Sequence, residues 1–162
     1  MPLDSLNASE LQAIGAQLTN DSSKYENRAD VEYQWAVKAY HHAETYSNLI
    51  SSVDPKVLKL TRLDDDIYKH FRGEFPDLNV KELDVDFLKT PEQKEKWRKF
   101  CMQYDQQQVQ DFNLGTLIRI NSREEFSEQN STLVVRIQFL AIEIARNREG
   151  HNDNLQKKHV PS

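Results

Sequence analysis

The chain has 162 residues, 38% hydrophobic and 29% charged, with a net charge of -5, a mean hydropathy of -0.78 and a pI of about 5.5. That length suits one domain whose core needs no staples, and the acidic balance argues against direct nucleic-acid binding, which requires a net basic patch. No apolar run reaches membrane-spanning length, and the opening M-P-L-D-S-L-N-A-S-E lacks the basic and apolar regions of a signal peptide. The expectation is a cytoplasmic protein without a membrane partner, with nuclear entry left open.

Residues 1–29 hold one weak helical pattern, Leu11, Ile14 and Leu18, followed by a polar stretch, and predict a flexible arm. From Asp30, read as an N-cap, the pattern turns helical: Trp35, Ala36, Ala39, Tyr40, Ala43, Tyr46, Leu49, Ile50 and Val53 recur at three and four residues. Asp54-Pro55 stops it, because the residue before proline is pushed out of the helical region. Periodicity assigns the aromatic stripe Trp35, Tyr40 and Tyr46 to a packed core. Neighbouring His41 and His42 diverge on a helix, so they do not make a zinc pair.

The segment 56–60 is short, apolar and alternating. Thr61 with Asp64 resembles a capping arrangement, and Leu63, Ile67, Phe71 and Phe75 form an i+4 ladder that ends before Pro76. Asp64, Asp65 and Asp66 fall in the first turn, where the helix dipole favours negative charge. Read as a solvated acidic group, they are candidate partner contacts. Residues 77–90 are mixed and suit a short helix or two. Thr90-Pro91-Glu92-Gln93 carries a cap, an N1 proline and a back-reaching glutamine. The helix it opens is expected to run through Trp97, Phe100, Cys101, Tyr104, Val109 and Phe112, and to close at Gly115. Its basic side, Lys94, Lys96, Arg98 and Lys99, reads as a solvated face. Cys101, the single cysteine, cannot form an internal disulfide and reads as a small buried hydrophobe.

Residues 116–120 alternate as a short strand, with 57–60 the expected partner. Residues 130–150 predict a helix of about five turns, capped by Asn130 and Ser131 and ended by Gly150. Leu133, Ile137, Leu140, Ala141 and Ile144 fall on one face, and Val135, Phe139 and Ile142 on a second. A helix apolar on two sides is packed on two sides. Its third side carries Arg136, Glu143 and Asn147, flanked by Gln138 and Arg146. Because buried charges must be paired, the line Arg136, Glu143 and Asn147 predicts an internal network in which Glu143 satisfies an arginine and ties in the segment carrying Arg119. On that basis Glu143→Ala is expected to cost roughly 2 to 4 kcal/mol. Arg146 and Arg148 stay open as candidate partner contacts at the helix end. The tail 151–162 has no periodicity and is expected to fray.

Chemistry-bearing motifs are sparse. The glycines are Gly15, Gly73, Gly115 and Gly150, too few and too scattered for a phosphate loop or a dinucleotide or methyl-donor turn. No metal-ligand spacing and no nucleophile elbow occur, so no cofactor, metal or catalytic residue is expected. The predicted architecture is mainly α: a single-domain orthogonal bundle of about five helices over residues 30–150, packed around the buried C-terminal helix, with one short two-stranded extended pair.

Five stretches together resemble the polysaccharide biosynthesis domain-containing protein 1 family of eukaryotes: A-E-T-Y-S-N-L-I-S-S-V-D-P (43–55), L-K-L-T-R-L-D-D-D-I-Y (58–68), E-K-W-R-K-F (95–100), D-F-N-L-G-T-L-I-R (111–119) and R-I-Q-F-L-A-I-E-I-A-R-N-R-E-G-H-N (136–152). The likeness covers roughly residues 31–152, in order. The family's name comes from a distant relation to plant xylan-modifying proteins, which would imply a sugar-directed transferase, yet this chain lacks the glycine turn of a methyl-donor site. Its fungal and animal members are understood as small cytosolic chaperones that accompany newly made translation elongation factor 1-alpha until its GTP-binding domain folds. The resemblance therefore implies a non-enzymatic chaperone whose partner is nascent elongation factor 1-alpha or another GTP-binding protein. Ribosome association is left open, and the chain itself is expected to be a monomer. A structural adaptor without a client cycle is the blander alternative.

Overall fold

In a computed structural model that describes residues 28–153 and 155, the first strongly periodic stretch forms helix α1, Arg28–Ser52. Trp35, Ala39, Ala43, Tyr46 and Ile50 are buried, the stripe an amphipathic helix must hide. The helix runs through Asp30 instead of starting at it, so Asp30 is not its cap. Tyr40 also departs from the expected core stripe: it lies exposed, its ring tilted against that of Phe126 at 5.0 Å between centroids. The helix ends before Pro55, which keeps Asp54 extended. Asp54 Oδ1 then accepts from the Lys56 N–H at 3.0 Å and opens a single 3-10 turn, Pro55–Val57. The arm expected over 1–29 lies outside the described residues as far as residue 27.

Helix α2, Asp64–Glu74, starts three residues after Thr61. Half of the expected capping exchange forms: the Asp64 carboxylate accepts from the N–H groups of Thr61 (2.7 Å) and Leu60 (2.8 Å), whereas Thr61 Oγ1 accepts from Leu63 instead of Asp64. A one-turn helix α3, Val85–Leu88, is capped by Asp84. Helix α4, Pro91–Cys101, opens with the predicted cap and N1 proline, Thr90 Oγ1 accepting from the Gln93 N–H. The expected back-reaching bond of Gln93 does not form, and its buried Oε1 has no hydrogen-bond partner. It stops at Cys101, not at Gly115. The Asp105 side chain accepts from the N–H groups of Gln107 and Gln108, both at 3.0 Å, and such local bonds compete with helix continuation. Residues 102–114 are turns that still bury Tyr104 and Val109.

Strand β1, Gly115–Arg119, pairs antiparallel with β2, Ser131–Val135, placing Gly115 opposite Val135 and Arg119 opposite Ser131. Two expectations are corrected here. The strand partner is not 57–60, and 130–135 is not the first turn and a half of the long helix. The run S-T-L-V-V is rich in β-branched side chains that favour a strand. Asn130, expected as a helix cap, instead closes the β1–β2 connection: its side chain accepts from the Asn121 N–H and donates to the carbonyls of Asn121 and Glu125.

Helix α5, Arg136–Arg148, follows β2 without a loop. Gln138 Oε1 accepts from the Val135 N–H at 2.9 Å. The first two helical N–H groups, of Arg136 and Ile137, donate to Leu114 O (2.8 Å) and Phe112 O (2.9 Å), so two of the four orphan donors of the helix start are satisfied by the turn before β1. Every residue from Phe139 to Asn147 is buried. The post is shorter than its sequence suggested, but it is covered on all sides.

The strand pair forms a middle layer, because successive side chains point to opposite faces. Ile118 and Val134 join the main core with α5, α2 and α4, while Leu117 and Leu133 join a smaller cluster with Trp35, Ala39 and Ala43 of α1. Phe75 stacks on Trp97 at 4.3 Å and Phe71 on Trp97 at 5.6 Å, joining α2 to α4. The described residues thus form a mainly α fold of five α-helices and one strand pair. Gly150, at φ 87°, occupies the left-handed region that glycine enters without penalty. The His151 N–H returns to Arg146 O at 2.9 Å, the six-to-one bond of a Schellman turn. That turn brings part of the expected tail into the core: Asn152 is fully buried and Leu155 nearly so.

Candidate functional site

The strongest convergence of polar side chains lies inside the fold, at Glu143. Its Oε1 accepts from Asn152 Nδ2 (3.0 Å), the Tyr46 hydroxyl (3.2 Å) and Arg119 Nη2 (3.5 Å), and its Oε2 accepts from Arg146 Nη1 (2.8 Å). Around it, Asn147 Nδ2 donates to the Tyr46 hydroxyl at 3.2 Å, and Asn152 links Asn147 Oδ1 to Arg119 Nη2. One carboxylate therefore joins α1, β1, α5 and the post-helix turn.

Two guanidiniums face that single carboxylate, so the cluster carries an excess positive charge. Backbone carbonyls compensate: Arg146 donates to Val80 O (2.6 Å) and Ile120 O (3.0 Å), and Arg119 to Ser122 O (2.6 Å). Charge-assisted bonds of this kind are the strong ones. Burial by itself would raise the Glu143 carboxyl, but the neighbouring Arg146 and Arg119 hold it below the ordinary carboxylate value. The Tyr46 hydroxyl is pushed well above its usual range, first by burial and then by the Glu143 charge. Burial lowers Arg146, with Glu143 opposing. The cluster is a clamp: its carboxylate is surrounded by four donors and sealed from water.

A second cluster sits at the surface end of α5. Arg72 grips Glu149 with two bonds, Nε at 2.7 Å and Nη2 at 2.6 Å, and donates through Nη1 to Phe75 O and Leu78 O. Tyr68 adds a hydroxyl bond to the same carboxylate at 2.9 Å. Next to it Arg148 meets Asp65 at 2.6 Å, with the Asp65 side chain 76% exposed. Its bond to Arg148, and then the Arg148 charge, hold Asp65 below the usual carboxylate value.

Of the residues predicted from sequence as an internal network, Arg119, Glu143 and Asn147 come together, while Arg136 does not. Arg136 is half-buried at the helix start, and its Nε has no hydrogen-bond partner. Of the predicted partner contacts, Asp66, Asp65 and Arg148 reach solvent. Asp64 and Arg146 do not. Asp64 is buried because its carboxylate caps the 60–61 turn, and Arg146 is fully buried as the main partner of Glu143. Tyr46 and Asn152 were missed as network members. Gly150 was the available sign for Asn152, since a left-handed residue turns the chain back under the helix it ends.

Cys101 is half-buried, and burial pushes its thiol up to about 12, far from the range of a reactive cysteine. His42 lies edge-on to Phe139; burial and then Arg136 lower its pKa. Among the described residues, no three His, Cys, Asp or Glu side chains converge as metal ligands. No helix among them is long and apolar enough to cross a membrane.

A family model described as PBDC1 protein matches residues 31–157. The chain is 48% identical over 143 residues to Protein PBDC1 of Homo sapiens, covering 88% of this chain but 61% of that protein's length. It is 42% identical over 139 residues to the Protein PBDC1 homolog of Saccharomyces cerevisiae, covering 83% and 94% respectively. The solution NMR structure of protein yst0336 from Saccharomyces cerevisiae superposes with a TM-score of 0.72 at 42% identity, covering 80% of this chain and 90% of that one.

Proposed function

The chain belongs to the PBDC1 protein family, and on that premise we propose that it is a non-enzymatic, cytoplasmic chaperone for newly made translation elongation factor 1-alpha. The client identity comes from the family resemblance of the motifs over 43–152. One observation supports the non-enzymatic part: the densest set of titratable groups, Glu143 with Arg119, Arg146 and Tyr46, is fully occupied by internal bonds and closed to water. Groups committed in this way hold helices together and cannot reach a substrate. What the chain offers to other molecules is its surface. It would cover apolar client surface that is not yet buried, and the client's own folding would end the contact by removing that surface.

A thermal-shift series separates this reading from transferase chemistry. Neither S-adenosylmethionine nor nucleotide sugars should raise the melting temperature, because a ligand stabilises only a state that binds it. Freshly translated elongation factor 1-alpha should co-purify with the chain, and mature GTP-bound factor should not. A saturable upward shift with either small ligand would contradict the proposal.

A further inference from the structure

Among the described residues, nothing large packs over one face of helix α1. Tyr33, Val37 and Tyr40 are 70%, 49% and 46% exposed, and their spacing i, i+4, i+7 places them in a single row. Exposed Glu44, at i+11, continues that row. Trp35, Ala39 and Ala43 occupy the buried side of the same helix, so core packing cannot account for the exposed row. Phe126 packs beside Tyr40 and is itself only partly buried against the α1 cluster. Exposed Glu124 and Glu128 stand two residues to either side of it. The row is therefore three large apolar side chains with the Glu44 carboxylate at its end, beside the Phe126 segment that carries exposed Glu124 and Glu128; among the described side chains of the same turns, Lys38 is the exposed cation.

Large aromatic side chains spaced in this way form a seam into which another helix can set its own ridge, and tyrosine is favoured at such contacts. The acidic flank selects the occupant. A second copy of this chain would bring the same carboxylates and the same net charge of -5, and like charge disfavours that encounter. A helix with lysine or arginine beside its apolar stripe is complementary. Resting on the chaperone reading above, we propose that the Tyr33, Val37 and Tyr40 face of α1, with Phe126 and its flanking glutamates, is the docking surface for a cationic amphipathic helix of the incompletely folded client.

The test uses the full chain and, as probe, a fluorescent synthetic peptide of leucine and lysine patterned as an amphipathic helix, with a leucine and glutamate peptide as control. The cationic peptide should bind, weaken with added salt, and lose about tenfold or more in affinity to the triple variant Tyr33→Ser, Val37→Ser, Tyr40→Ser. The variant gives up the Tyr40–Phe126 ring contact and no fully buried side chain, so it should keep its parent's circular dichroism spectrum and unfold in one cooperative transition. The single variant Tyr33→Ser, at the 70% exposed position, should keep the parent's melting temperature while still weakening peptide binding. Equal binding by parent and variant, or equal binding of the acidic peptide, overturns the surface. So does self-association of the parent that the variant abolishes, or a photo-crosslinker at position 37 that reacts with residues 1–27 of its own free chain. A parallel arm measures the soluble yield of elongation factor 1-alpha in cell-free translation. Peptide binding that depends on the face, with a yield the parent chain does not raise, sinks the chaperone reading and leaves the surface standing. A raised yield with face-independent peptide binding sinks the surface alone.

Discussion

Glu143→Ala probes the clamp at its centre. The substitution removes the carboxylate that, among the described residues, alone pairs with both Arg146, which is fully buried, and Arg119, which is 4% exposed, leaving two guanidinium charges in the interior. Breaking a buried pair by deleting one partner costs about 3 to 5 kcal/mol. Arg146 keeps its bonds to Val80 O and Ile120 O, and Arg119 keeps Ser122 O and Asn152, which favours the lower part of that range. The Tyr46 hydroxyl and Asn152 amide each lose an acceptor, which pushes the other way. A loss of about 3 to 5 kcal/mol is a large share of the 5 to 15 kcal/mol typical of a domain, and corresponds to a fall of roughly 10 to 20 °C in Tm. Circular dichroism during urea and thermal denaturation measures it. Glu143→Gln, which keeps an acceptor and the volume, should lose less. A Glu143→Ala protein melting within about 2 °C of its parent would mean that the guanidiniums are satisfied without the carboxylate, and the clamp argument would fail.

Three further outcomes follow from the geometry. Because the folded-state pKa of His42 is depressed by burial and Arg136, its contribution to stability is complete above the unfolded value of about 6.5. It is lost as pH falls below that value and levels off once the folded group protonates too, so His42→Gln should flatten this part of the pH–stability curve. Gly150→Ala should destabilise by about 1 to 2 kcal/mol, the cost of a Cβ in the left-handed region; the added carbon would also meet Asp153 Oδ2 at 3.3 Å, and chemical denaturation reads the loss. Cys101, with its thiol at about 12, should be alkylated by iodoacetamide at pH 7.5 at least about a hundredfold more slowly than glutathione; labelling at the free-thiol rate would show that the residue opens readily.

Much of the helical framework was legible because its signals are local. Asp54-Pro55 and Thr90-Pro91 end and begin helices through the conformational limits of proline, and the Ile67, Phe71 and Phe75 ladder shows its buried face directly. The strand at Ser131–Val135 was hidden because a continuous apolar run suits a buried helix as well as a buried strand. Only its ladder to Gly115–Arg119 decides between them. The carboxylate at Glu143 announced itself as a charge on a greasy helix. The fate of Arg146 did not, because its carbonyl partners, Val80 and Ile120, come from segments distant in the chain. Asp64 was misplaced for the opposite reason: its partners are three and four residues away, and an acidic run hid the one carboxylate that folds back.

The central claim, that this chain serves a client protein through its surface, is tested most directly by translating elongation factor 1-alpha in a cell-free system from which the chain has been removed and then restored. Restoring the chain at stoichiometric amounts should raise the fraction of new factor that is soluble and retains GTP, with no gain when it is added after translation has ended. A fraction that stays the same at every chain concentration would contradict the account.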